Sequence, residues 1–146
     1  MSYWDTSTLV KLYAKEPDSA VFESHALNAP GQMVTSRIAL YEAQATFHRK
    51  ESEGTLQPGA ALTLYIELLQ DVADQAVRLI ELGPDLEREY GQALTLFYQQ
   101  TPPIPLRTLD ALHLASVRVS GETEIVATDK RLRDAAKLLG FSLFPT

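Results

Sequence analysis

The chain has 146 residues, 45% of them hydrophobic, and no cysteine. That is enough for one compact domain with a real core, and it excludes disulfides, thiolate metal sites and cysteine nucleophiles. The formal net charge of −6 argues against a broad basic face for nucleic acid. No apolar run spans a bilayer, and the opening MSYWDTSTL lacks the basic start and apolar stretch of a signal peptide, so the expected location is the cytoplasm.

Taken in chain order, short apolar runs alternate with longer helical patterns, which predicts an α/β fold: a central parallel sheet of four to five strands flanked by helices, in one domain over 1–146. Ser2 to Trp4 reads as the first strand. Leu9 to Ala14 and Ser19 to Leu27 read as helices, separated by Glu16-Pro17-Asp18. Met33 to Thr35 is the second strand, and a long helix from Arg37 to about Glu53 ends at Gly54. Another runs from Pro58, a favoured first helical position, to about Ala73. Ala76 to Leu82 is the third strand. Pro84 opens a helix to about Gln99, which Thr101-Pro102-Pro103 stops. Thr108 to Val119 is helical up to Gly121, Glu124 to Ala127 is a strand, Lys130 to Leu139 is a helix closed by Gly140, and Ser142 to Phe144 is a last short strand.

This order sets four carboxylates where one pocket can gather them: Asp5 after the first strand, Glu42 and Asp110 on helices, Asp129 after a late strand. Ligands of an open parallel sheet collect at the carboxyl ends of its strands, where Asp5 and Asp129 fall. Each also has a plainer explanation, since an Asp just before a helix caps its free N–H groups. Glu42 shares a helical face with Ile38, Ala45 and Arg49, so its charge interrupts a partly apolar stripe. Asp110 lies in Leu109-Asp110-Ala111-Leu112-His113-Leu114-Ala115, where almost every position is apolar, and is expected to be buried. A buried carboxylate needs a metal, a cation or a donor such as Arg107 or Thr128. Crowded like charges are tolerated by sharing a hard divalent cation, so the constellation points to a metal-dependent phosphodiesterase. His113 is a proton-shuttle candidate or a hydrogen-bonded structural histidine. Bound cations would reverse the sign of the pocket that a phosphate meets, and the stretch from Arg107 to Lys137 holds Arg107, Lys130 and Arg131 as possible RNA contacts or ordinary solvated charges.

The segments Tyr3-Trp4-Asp5-Thr6-Ser7-Thr8-Leu9-Val10-Lys11-Leu12-Tyr13, Arg107-Thr108-Leu109-Asp110-Ala111-Leu112-His113-Leu114-Ala115 and Ala127-Thr128-Asp129-Lys130-Arg131-Leu132, with Ala135-Ala136 and Gly140 behind them, resemble a PIN domain. Within that superfamily the chain most resembles the VapC ribonuclease toxins of toxin-antitoxin pairs. Glu42, in Ser36-Arg37-Ile38-Ala39-Leu40-Tyr41-Glu42-Ala43, matches the family's helix Glu. The resemblance covers essentially the whole chain. It implies a three-layer α/β/α fold, an acidic pocket of Asp5, Glu42, Asp110 and Asp129 holding one or two Mg²⁺ or Mn²⁺ ions, and endonucleolytic cleavage of RNA, with a transfer RNA or ribosomal RNA loop as the expected substrate. Thr6, Ser7 and Thr128 match small hydroxyl positions that line such pockets, with helix capping as the alternative. It also implies a cognate VapB-like antitoxin and a homodimer.

Two other acidic Mg²⁺ folds do not fit the residues. A receiver domain needs a phosphoacceptor Asp after a middle strand and a Lys after the last, but the third strand ends Glu81-Leu82-Gly83 and the last ends Phe144-Pro145-Thr146. A haloacid-dehalogenase-type phosphatase needs a second Asp two residues after the first, where this chain has Asp5-Thr6-Ser7. A PIN-like scaffold that binds RNA or a protein without cutting remains the alternative of a different class.

Overall fold

The structure is a computed structural model that describes residues 1–29 and 31–146. In chain order the elements are β1 (Ser2–Trp4), α1 (Thr6–Val10), α2 (Ser19–Asn28), β2 (Met33–Ser36), α3 (Arg37–Ser52), α4 (Ala60–Ala73), β3 (Val77–Ile80), α5 (Pro84–Tyr98), α6 (Thr108–Ser120), β4 (Glu124–Val126), α7 (Lys130–Leu138) and β5 (Ser142–Phe144). The strands form one sheet in the order β3-β2-β1-β4-β5, and every neighbouring pair is parallel. From β1 the chain builds outward first through β2 and β3, then on the other side through β4 and β5. The reversal therefore lies between β1 and β4, and the carboxyl ends of those two strands flank the crevice where such a sheet binds ligands.

Side chains alternate across a strand, so successive residues of β1 feed opposite layers. Tyr3 packs with Leu86 and Phe97 of α5, Leu114 of α6 and Leu132 and Ala136 of α7. Trp4 packs with Leu9 of α1, Phe22 of α2, Leu40 and Phe47 of α3 and Leu68 of α4. The β4 pair Ile125 and Val126 divides between the same two clusters. Helices cover both faces of a parallel sheet whose central strand β1 is buried throughout, the three-layer arrangement expected.

Two helix starts differ from the expectation. The first helix begins at Thr6 instead of Leu9, because Asp5 is its N-cap and accepts from the Thr8 N–H. It ends at Val10, and Lys11 to Tyr13 form a turn in which the Leu12 and Tyr13 N–H groups bond three residues back. The fourth helix begins at Ala60 and not at Pro58, since Gly59 has a left-handed φ of 86° that no helical residue adopts. Among the described residues no helix is long and apolar enough to cross a membrane.

Candidate active site

The four acids line one cleft of about 320 Å³, together with Thr6, Ser7, Arg107, Thr108, Leu109, His113 and Leu132. Each arrives by a different route. Asp5 directly follows β1, and its N–H donates to the Val126 carbonyl at 3.1 Å, which pins the end of β1 to the end of β4. Asp129 caps α7, with Oδ1 accepting from the Leu132 N–H at 3.0 Å. Asp110 occupies the first turn of α6, where the helix dipole favours an anion. Glu42 lies on α3, whose Ser36 cap fixes the entry from β2.

Asp5 is buried, and its carboxylate is held from one side. Its Oδ1 accepts from the Thr8 N–H at 3.0 Å and the Thr8 hydroxyl at 2.7 Å, and the Ser7 hydroxyl lies 3.0 Å from both oxygens. Burial pushes this carboxyl above the usual range despite the opposing effect of His113 and those donors. Burial also pushes Asp110 up, the Asp129 charge adds to it, and His113, Arg107 and Arg131 oppose. For Glu42 burial raises the pKa, but His113 and the Thr6 hydroxyl outweigh it and hold the carboxyl below its ordinary value. Glu42 Oε1 accepts from Thr6 Oγ1 at 2.8 Å and lies 2.8 Å from His113 Nε2.

Two expectations about burial are corrected. Asp110 is only half-buried: α6 buries Ala111, His113, Leu114, Ala115, Ser116 and Val117, while Leu109 is 48% exposed at the open end of the helix. Glu42 lies at the edge of the buried residues of α3, which are Ile38, Ala39, Leu40, Ala43 and Phe47; of the three residues at helical spacing from it, Ile38 is buried while Ala45 and Arg49 face solvent.

The Thr6 hydroxyl donates to Glu42 and the Ser7 hydroxyl to Asp5. Thr128 is exposed and lines the neighbouring recess, with Thr6, Ser7, Glu42, Lys11, Arg49 and Lys50. Arg107 lines the cleft, and with Arg131 and Asp110 it also lines an adjoining groove of about 490 Å³ walled by Ile104, Pro105, Leu106 and Leu138. Lys130 is ion-paired to Asp134 one turn on and is absent from the cleft lining. Thr8 was not singled out from sequence, although a hydroxyl three residues after a helix-capping Asp is a readable signal. Tyr3, whose hydroxyl lies 2.6 Å from His113 Nδ1, was not either.

The donor set suits a hard divalent cation: it is all oxygen, two of its carboxyls are pushed toward protonation, chiefly by burial, and Asp110, Glu42 Oε2 and Asp129 Oδ2 make no hydrogen bond within the described chain. Among the described residues, however, no three His, Asp or Glu side chains are set close enough to close on an ion as they stand.

A fold and cleft of this kind define a class, and the sequence matches the PIN domain family model over residues 2–138. The chain belongs to the PIN-domain family, on its VapC-type branch: it is 30% identical to Ribonuclease VapC46 of Mycobacterium tuberculosis, over 97% of this chain and 94% of that protein. The fold is similar to that of Mycobacterium tuberculosis VapC20, described as a sarcin-ricin loop cleaving toxin, with a TM-score of 0.68 at 20% identity over 97% and 96% of the two chains. It is similar also to VapBC2 from Rickettsia felis, solved with a DNA fragment from its promoter, with a TM-score of 0.66 at 17% identity over 98% and 97%.

Proposed function

We propose that this protein is a Mg²⁺- or Mn²⁺-dependent endoribonuclease of the VapC type, acting in the cytoplasm and restrained by a VapB-like antitoxin. The observation that carries the reading is the meeting of Asp5, Glu42, Asp110 and Asp129 in one cleft at the carboxyl ends of β1 and β4. These four would hold the ion, directly or through water, and the name of the 30% identical relative supports RNA as the substrate. When bound, such an ion lowers the pKa of a water, holds the scissile phosphate and neutralises the charge growing on the leaving oxygen.

The chain's own residues do the rest. Thr8 and Ser7 fix Asp5, and Thr6 fixes Glu42, so that the carboxylates lose little freedom when they close on a cation. A carboxylate oxygen left outside the coordination sphere orients the attacking water and takes its proton. Arg107 and Arg131 make no ion pair within the described residues and border the cleft and its groove, where they meet the phosphates on either side of the cut. Hydrolysis of this kind leaves a 5′ phosphate and a 3′ hydroxyl. An exposed loop of transfer or ribosomal RNA suits an open cleft better than a duplex, whose bases are stacked away. The toxin is expected to be a homodimer.

The test is incubation of total RNA with the purified, antitoxin-free protein and Mn²⁺ or Mg²⁺, with chelator and Asp110→Asn controls and mapping of the ends. Discrete metal-dependent cuts lost in the variant are expected; cutting that survives chelation would refute the reading. The engagement of three acids by protein donors favours a second reading, a PIN-type scaffold that binds RNA or protein without cutting. Absence of both cutting and metal uptake would favour it.

A further inference from the structure

Arg37, Arg49, Arg88 and Arg118 pair with carboxylates, and Arg78 and Arg133 donate to backbone carbonyls. Within the described residues Arg107 and Arg131 alone have neither kind of partner, and both border the groove of about 490 Å³ beside the acidic cleft. A guanidinium in that state is ready to meet a phosphate edge-on and an aromatic ring face-on. The wall they border is apolar. Ile104, Pro105 and Leu106, on the segment leading into α6, line the groove together with Leu138, the last residue of α7. Ile104 and Leu106 pack against the core, and the Ile104 N–H is tied to the Phe97 carbonyl at 2.9 Å, so this wall is fixed in place. Leu138 is 62% exposed, a large apolar side chain left to water at the rim of a charged site. The remaining acid of the groove, Asp134, is ion-paired to Lys130. Asp110 and Arg107 line the groove and the acidic cleft alike. The two are therefore continuous, and a strand with a phosphate at the acids has the adjoining nucleoside within reach of the groove.

The occupant that this combination fits is a flat ring joined to a phosphate. A nucleobase stacks on apolar and guanidinium faces while its phosphate meets the free N–H groups. A phosphate or sugar alone would leave the apolar wall uncovered, and a protein partner would need far more than this wall, since stable interfaces bury about 800 Å² on each side. We infer that the groove is a base-binding subsite: the heterocycle of an unpaired nucleotide next to the scissile phosphate lies against Ile104, Leu106 and Leu138, with Arg107 and Arg131 on its phosphates. The inference rests on the RNA reading of the cleft and adds a requirement to it, that one base beside the cut be unstacked and turned out of the strand. Ile104 and Leu138 thereby become specificity-determining residues that select a looped RNA over a duplex, whose bases are stacked away.

The probes are the four nucleoside 5′-monophosphates and ribose 5-phosphate, titrated in chelator into protein with labelled isoleucine and leucine methyl groups. Nucleotides should move the methyl resonances of Ile104 and Leu138 and bind at least about fivefold more tightly than ribose 5-phosphate, the lower end of what stacking one base contributes. Leu138→Asn, at an exposed position that the fold tolerates, should bring the two within about twofold of one another, while Leu138→Met keeps the preference. In an oligoribonucleotide spanning the mapped cut, an abasic residue at one position beside that cut should raise KM about fivefold in wild type and less than about twofold in Leu138→Asn. Nucleotides that bind no better than ribose 5-phosphate, or a preference untouched in Leu138→Asn, overturn the inference; if the same protein cuts RNA, the nuclease reading stands without it. Base-dependent binding in a protein that neither takes up Mn²⁺ nor cuts RNA sustains the subsite and refutes the nuclease reading. Groove methyls that move with protein concentration or with the antitoxin, and not with nucleotide, give the groove to a protein surface and overturn the inference.

Discussion

Replacing Thr8 by Val removes one hydroxyl and leaves the shape of the residue. In the native protein that hydroxyl is fully buried, 2.7 Å from Asp5 Oδ1 and 2.8 Å from the Val126 carbonyl, and donates to the carboxylate when it is ionised, while the Thr8 N–H caps the same oxygen at 3.0 Å and survives the change. A hydrogen bond to a charged group contributes about 1.5–3 kcal/mol, and for a domain of this size each kcal/mol moves Tm by about 2–4 °C. The metal-free variant should therefore melt about 3–12 °C below wild type at neutral pH. The sign of its pH dependence follows from Asp5, whose folded carboxyl is raised chiefly by burial and lowered in part by this hydroxyl. The bond is strongest to the ionised form, so the gap between variant and wild type is full above the raised pKa of Asp5 and shrinks as pH falls through it. Thermal melts by circular dichroism in chelator, at neutral pH and at successively lower pH, measure that gap. A variant as stable as wild type at neutral pH, or a gap that does not change with pH, would refute the claim that Thr8 serves the Asp5 carboxylate.

Further outcomes are expected. Asp110→Asn should keep the fold, since the side chain is half-buried and makes no hydrogen bond within the described chain, yet abolish RNA cleavage; cleavage at wild-type rate in the variant would remove Asp110 from the site. At Mn²⁺ a hundredfold above its Kd the wild type should gain about 2.7 kcal/mol, or about 5–10 °C in Tm, and a melt unmoved by millimolar Mn²⁺ would speak against the cleft as a cation site. Arg107→Ala and Arg131→Ala should each raise KM for RNA and flatten its salt dependence while Mn²⁺ still binds, which separates substrate contact from metal binding. Phe47→Ala should cost about 3–5 kcal/mol, because Phe47 is fully buried between the sheet-side helices; a loss under about 1 kcal/mol, read by denaturant titration, would contradict that packing.

The strands and the acids behind them were legible because a parallel sheet writes itself as short apolar runs between helical patterns, and its ligand sites fall at strand ends. Asp5 shows the ambiguity of that signal: it is the cap of α1 and a wall of the cleft at once, so the two sequence readings were not rivals. The apolar run around Asp110 misled, because pattern alone does not show which end of a helix stays open to solvent, and Leu109 at that end is half exposed. Of the residues at helical spacing from Glu42, Ile38 is buried while Ala45 and Arg49 are exposed, which spacing alone does not tell. The pairing of Tyr3 with His113 joins residues 110 positions apart and leaves no local mark in the sequence. Nor does sequence tell how closely carboxylates that share a cleft approach one another.

The central claim is that this cleft takes up a divalent cation, and Mn²⁺ binding to the purified chain tests it most directly. Calorimetry with electron paramagnetic resonance should find one or two ions bound to the wild type in the cleft, with affinity lost in Asp110→Asn and weakened in Asp5→Asn. A wild type that leaves millimolar Mn²⁺ free in solution, or an Asp110→Asn protein that binds as tightly as wild type, would contradict the account.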